Sequence, residues 1–186
     1  MVNNEIVSFD DEMLIVVDRE DNILGYRSKA ECHEGEGILH RAFSIFIFND
    51  QGQLLLQQRS AQKLLWPLFW SNSCCSHPRK GESLDIAVHR RLQQELGFET
   101  KLNHLFAFQY QAKFKHVGSE NEMCAVFIGK SNASISVNEN EIAAWKYINS
   151  LNLSEELARN PEKYTPWFKM EWERIVSDFW NDIESL

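Results

Sequence analysis

Hydrophobic residues fall into short blocks whose period changes along the chain. Met13-Leu14-Ile15-Val16-Val17-Asp18 is a β-rich run, followed by a polar turn from Arg19 to Asn22 and a short return strand. Arg27 to Glu36 is polar and carries His33. Ala42-Phe43-Ser44-Ile45-Phe46-Ile47-Phe48 predicts a strand. Asn49-Asp50-Gln51-Gly52 supplies turn chemistry before Leu54-Leu55-Leu56, so these two runs are expected to form a hairpin. After Gly81 the period becomes helical: Leu84, Ala87, Val88, Leu92 and Leu96 fall on one face, Ser83 suits an N-cap and Gly97 a C-terminal stop. Leu105 to Phe114 and Met123 to Ile128 read as strands separated by a polar loop from Lys115 to Asn121, and Ala143 to Ile148 as one more. From Pro166 onward, Trp167, Phe168, Met170, Trp172, Ile175, Val176, Phe179 and Trp180 predict a terminal helix packed back on the sheet.

A chain of 186 residues with 44% hydrophobic content is long enough to bury a full core, and no repeat or linker divides it, so one domain spanning 1–186 is expected. The formal charge is −8 and no basic run is long enough to track a phosphate backbone, which argues against nucleic acid while leaving room for a few cations around a small anion. The apolar runs are far shorter than the roughly 20 residues of a membrane span. Met1 to Asn3 and the residues after them lack the basic, apolar and cleavage regions of a secretory leader, so a cytoplasmic protein is expected. Its four cysteines (Cys32, Cys74, Cys75, Cys124) are then expected to be reduced thiols.

Candidate chemistry centres on Trp70-Ser71-Asn72-Ser73-Cys74-Cys75-Ser76-His77-Pro78. On extended backbone, side chains two apart project to one side, so Cys75 and His77 are expected to face a single cavity. His33, His40, His77 and the pair in Glu120-Asn121-Glu122 offer three imidazoles and two carboxylates, a donor set suited to Mn²⁺, Mg²⁺ or Zn²⁺. Taken singly, each His reads first as a surface or hydrogen-bonded residue rather than a ligand, and an E-x-E pair as a solvated strand edge. Arg91 and Glu95 are helical neighbours four apart: either a surface ion pair worth a few tenths of a kcal/mol, or a phosphate ligand beside a cation ligand. Arg59 and Lys63 carry the same ambiguity.

The order His33, His40-Arg41-Ala42-Phe43-Ser44, Trp66-Pro67, Trp70-x-Asn72-Ser73-x-Cys75-x-His77-Pro78, Gly81-Glu82, Arg90-Arg91, Glu95-Leu96-Gly97, Tyr110, Glu120-Asn121-Glu122 and Pro166-Trp167 closely resembles type I isopentenyl-diphosphate isomerase. The match runs from about Ile15 to the terminal helix. The resemblance implies a Nudix-like α/β (α+β) sandwich, a mixed β-sheet flanked by helices. Hydrolases of the Nudix fold end their motif R-E-U-x-E-E-x-G, whereas this chain reads Arg90-Arg91-Leu92-Gln93-Gln94-Glu95-Leu96-Gly97. Two of the three hydrolytic metal ligands are thus Arg91 and Gln94, which favours the isomerase branch over a diphosphohydrolase, the alternative.

What the resemblance implies is interconversion of isopentenyl and dimethylallyl diphosphate by protonation and deprotonation. Cys75 would exchange a proton on one side of the allylic carbons, and Glu122, assisted by Tyr110, on the other. His33, His40, His77, Glu120 and Glu122 would hold Mn²⁺, Mg²⁺ or Zn²⁺. Trp167 would offer a π face to the carbocation, and Arg59, Lys63 and Arg91 would clamp the diphosphate. A bridging Mg²⁺ would be bound by Glu95 and the Cys75 carbonyl. Cys74 has no assigned role beyond a packed small residue. A small-molecule diphosphate is the expected partner, with no nucleic acid or membrane, and the chain is expected to be a monomer or weak homodimer.

Overall fold

The apolar run at 42–48 lies within β3 (His40–Phe48), and every residue from Ala42 to Phe48 is buried. This is seen in a computed structural model of the chain that describes residues 4–186. Met1, Val2 and Asn3, the start of the stretch read for a leader, lie outside the described residues. β3 is covered on both faces, which is why its sequence does not alternate. Ala42, Phe46 and Phe48 pack with Phe168, Trp172 and Ile175 of α4 (Pro166–Asp178). Phe43, Ile45 and Ile47 pack with Ala87, Val88, Leu92 and Leu96 of α2 (Leu84–Leu96). The mixed sheet is therefore a layer between two helices, as a Nudix-like sandwich requires. Each fully buried Phe or Leu on these faces contributes about 1.5–3 kcal/mol of transfer free energy.

β3 runs parallel to β8 (Gly118–Lys130) in a register that sets His40 opposite Glu122 and Ser44 opposite Val126. Its other edge is shared. β1 (Met13–Val17), itself paired antiparallel with β2 (Ile23–Ser28), meets it at His40. β6 (Cys74–Ser76) pairs antiparallel with Phe43 to Ile45, setting Ser44 opposite Cys75. β4 (Leu54–Arg59) touches β3 only at Phe48↔Leu54. The expected β3–β4 hairpin is thus a turn between strands that diverge, because both edges of β3 are already occupied. β4 pairs instead with β9 (Ile142–Ile148) and β5 (Trp70–Ser71).

Three other expectations change. The loop placed at 115–121 is a tight turn at the end of one long hairpin, β7 (Leu102–Phe114) with β8, so Glu120 and Glu122 are paired strand residues. The polar segment at 27–36 contains α1 (Lys29–His33), started by a Ser28/Glu31 capping box, an S-x-x-E signal present in the sequence. Residues 150–159, unassigned by periodicity, form α3 (Ser150–Arg159). The terminal helix forms, but Phe179 leaves helical backbone (φ −126°, ψ 17°) and stacks on Phe106 at 5.0 Å, separating α4 from α5 (Trp180–Glu184). α2 is as expected: the Ser83 hydroxyl accepts from the Ile86 N–H and Gly97 closes the helix at φ 78°. No helix among the described residues is long and apolar enough to cross a membrane.

Candidate active site

Even-numbered residues of β3 and β8 face α4, which puts His40, Glu120, Glu122 and Cys124 on one face by strand alternation alone. α1 brings in His33 and the chain after β6 brings in His77. The ligand atoms of His33, His40, His77, Glu120 and Glu122 all lie within 4.8 Å of one another, and all five residues are buried. The Nδ1 of His33 sits 2.6 Å from the Lys29 carbonyl, and that of His40 2.7 Å from the Ile38 carbonyl. A carbonyl only accepts, so each Nδ1 carries a proton, and the neutral His40 presents its Nε2 lone pair inward. His33 Nε2 lies 2.8 Å from Glu120 Oε2, an ion pair that raises the imidazole against its burial, whereas His40 Nε2 has no hydrogen-bond partner among the described residues. Three imidazoles and two carboxylates converging in a buried space, one imidazole nitrogen without a partner, form a donor set that fits a divalent ion.

Protonation states agree with that fit. Burial and the neighbouring His33 push His40 down to about 4, and burial with His40 and His33 beside it drives His77 well below its usual value, leaving both imidazoles neutral ligands. Burial opposes ionisation of Glu120, yet His33 outweighs it and holds the carboxyl at about 2. Glu122 goes the other way. Burial and the adjacent Glu120 raise it well above the carboxylate range, against the Tyr110 hydroxyl that donates to its Oε2 at 2.6 Å.

A cavity of ≈ 480 Å³ opens beside this cluster, and His33, His77, Glu120, Glu122, Tyr110, Cys75 and Trp167 reach its wall. His40 stands behind it. Cys75 and His77 do share one cavity, and Cys74 points to the other side of the sheet, fully buried among the α2-facing residues. All four cysteines are free. Burial is the main reason that Cys75 is pushed up to about 12, so it carries its proton at neutral pH. Trp167 crosses Trp66 at 5.2 Å and lies 6.0 Å from Tyr110, forming an aromatic wall.

The far end of the cavity carries cations. Arg59 stands over the Trp167 ring at 5.3 Å and donates to the Leu65 and Trp66 carbonyls, where Trp66 takes left-handed backbone at φ 46°. Arg91 is 2% exposed and donates to Glu95 Oε1 (2.6 Å) and the Val7 carbonyl (2.9 Å), with Glu141 Oε2 3.0 Å from its Nη2. The surface reading of the Arg91–Glu95 pair is therefore corrected. The pair is buried because this face of α2 turns toward Gln57 and the 138–141 turn rather than toward water. Glu95 lies behind Arg91 and does not line the cavity. Lys63 binds Glu141. Two residues at this end escaped the sequence reading. Lys29 lines the cavity with its ammonium on Ser8, and Glu141 lines it with its carboxyl lowered to about 2, Lys63 and Arg91 overcoming burial. For Lys29 the signal was the capping box that starts α1 four residues before His33.

The NUDIX domain model matches residues 38–168. Isopentenyl-diphosphate Delta-isomerase 1 of Photorhabdus laumondii is 41% identical over 174 residues, covering 92% of this chain and 99% of that protein. This chain belongs to the isopentenyl-diphosphate delta-isomerase family. Another family member, from Serratia proteamaculans, is 46% identical over 158 residues, 85% of this chain and 88% of its own. Fold similarity extends further: a Deinococcus radiodurans crystal structure, 22% identical, superimposes with a TM-score of 0.66 over 80% of this chain and 90% of that one. In this isopentenyl-diphosphate isomerase family member, Gln94, which replaces a hydrolase carboxylate, accepts a hydrogen bond from Arg90 at 3.2 Å.

Proposed function

We propose that this chain interconverts isopentenyl diphosphate and dimethylallyl diphosphate, adding a proton at one end of the allylic unit and removing one at the other. The observation that carries the reading is a single cavity with a protonated thiol (Cys75) and a phenol–carboxyl pair (Tyr110–Glu122) on its wall, acids and bases at one end and cations at the other. An alkene is a weak base, so the protonating group must be positioned in a site shielded from water. Trp66, Trp167 and Phe114 supply that shielding.

Cys75 and Glu122 hold and move the two protons, and Tyr110 orients Glu122. Trp167 offers a π face to the tertiary carbocation, a reading supported by Arg59 standing over the same ring at 5.3 Å. His33, His40, His77, Glu120 and Glu122 would hold Mn²⁺, Mg²⁺ or Zn²⁺, which when bound supplies positive charge that keeps Glu122 ionised and oriented. Arg59, Lys63, Arg91 and Lys29 receive the diphosphate, and the Cys75 carbonyl is within its Mg²⁺ site, whereas Glu95, the other expected ligand, stands behind Arg91 and would have to be uncovered by it. A hydrolase would need carboxylates where Arg91 and Gln94 stand.

The test is a proton NMR time course of isopentenyl diphosphate with Mg²⁺ and Mn²⁺ in heavy water. Dimethylallyl diphosphate carrying solvent deuterium is expected. Release of inorganic phosphate, or an unchanged spectrum from folded, metal-loaded protein, would overturn the reading.

A further inference from the structure

We infer that Glu141 is a positioning residue for the diphosphate end of the cavity, holding Lys63 and Arg91 in the arrangement that an incoming diphosphate meets. This rests on the reading of that end as a diphosphate subsite. The family resemblance places Arg59, Lys63, Arg91 and Glu95 there, and gives Glu141 no part.

Lys63 and Arg91 come from separate segments, the loop after β4 and the middle of α2. One oxygen, Glu141 Oε2, takes both of them: Lys63 Nζ, and Arg91 Nη2 at 3.0 Å. The residue is 3% exposed, so this is a built contact rather than a surface pair. Its backbone is keyed to the same two segments. The Glu141 carbonyl accepts from the Ser60 N–H at 2.9 Å, three residues before Lys63. Asn138, which starts the turn that presents Glu141, donates its N–H to the Glu95 carbonyl at 2.9 Å, one helical turn after Arg91. The turn is itself pinned, with the Glu141 N–H on the Asn138 carbonyl at 2.9 Å and the Asn140 N–H on Asn138 Oδ1 at 3.0 Å.

Two effects of opposite sign follow from a carboxylate at an anion site. It repels the ligand directly, and it spares the ligand the entropy of ordering long cationic side chains. Ordering one such side chain is worth a roughly two- to tenfold change in affinity, so freeing Lys63 alone can weaken binding by up to about tenfold. Arg91 keeps Glu95 when Glu141 is removed, whereas Lys63, 23% exposed at its side chain, loses its ion-pair partner. Positioning is therefore expected to win, and Lys63 to account for most of the loss.

Calorimetric titration with magnesium pyrophosphate, alongside steady-state kinetics with isopentenyl diphosphate, tests this on the wild-type chain, Glu141→Gln and Glu141→Asp. Glu141→Gln is expected to weaken pyrophosphate about tenfold and raise KM by the same factor, with kcat within about twofold. Glu141→Asp, which keeps the charge one methylene short, should recover part of both. Unchanged or tighter pyrophosphate binding by Glu141→Gln overturns the inference, as does a fall in kcat with KM unchanged. Should Glu141→Gln fail to fold, Glu141→Asp decides on the same criteria, with a roughly threefold rise in KM expected. A wild-type chain that binds no magnesium pyrophosphate overturns the subsite reading and the inference with it.

Discussion

At the His/Glu end of the cavity the protein gathers imidazoles and carboxylates that can share one ion, and at the opposite end it turns cations toward carboxylates. His33 Nε2 and Glu120 Oε2 are 2.8 Å apart and His40 Nε2 has no hydrogen-bond partner among the described residues, whereas Arg91 and Lys63 share Glu141 and Arg91 also holds Glu95. The first leaves buried ligand atoms that a divalent ion can complete. The second is neutralised from within, so the cationic end keeps its shape without a ligand. A buried group is satisfied either by the protein or by what the protein binds, and the two ends take these two routes. Cys75, between them, belongs to neither.

That difference can be broken by single substitutions. The largest effect is expected from Cys75→Ala: a loss of about 10³-fold or more in turnover by the NMR assay, with magnesium pyrophosphate affinity unchanged because both ends stay intact. Normal turnover by this variant would remove the thiol from the reaction. Next come Glu120→Gln and His40→Ala, each expected to lower metal affinity about 100-fold or more, read as metal content by emission spectrometry after dialysis. Pyrophosphate binding should move far less, since neither residue forms an ion pair with the cations of the opposite end.

Glu171 sharpens the comparison, because it is a buried carboxyl with neither a metal cluster nor a cation. It is fully buried on α4 with Cys124 Sγ 3.5 Å from its Oε1, and burial raises it from 4.5 to about 7. A carboxyl raised in the folded state contributes its full stability below the unfolded value and loses it as pH climbs through the folded one. Stability should therefore fall by roughly 2–3 kcal/mol between about pH 4.5 and pH 7 on account of this group. Glu171→Gln should raise Tm at pH 8 and not at pH 4.5; equal shifts at both would refute the assignment. The smallest effect is expected from Ser83→Ala, about 1 kcal/mol from the lost N-cap of α2. Because α2 carries Arg91 and Glu95 but no residue of the His/Glu cluster, Tm should drop with metal content unchanged.

Local pattern alone determined the strands at 42–48 and 105–114, the capped helix at 84–96 and the apolar face of the terminal helix, because period and cap chemistry need only neighbours in the chain. Alternation also placed Cys75 beside His77, and motif order placed the metal-capable residues in one family. Tertiary structure decided the rest. Whether His33, His40, His77 and the E-x-E pair meet depends on the parallel β3–β8 register, which joins residues about 80 apart in sequence and leaves no local trace. The same holds for the β3–β4 turn, whose strands part because other strands claim the edges of β3. It holds again for Arg91 and Glu95, whose helical spacing is that of any exposed pair. What buries them is the turn at 138–141, which arrives from another part of the chain and brings Glu141 with it.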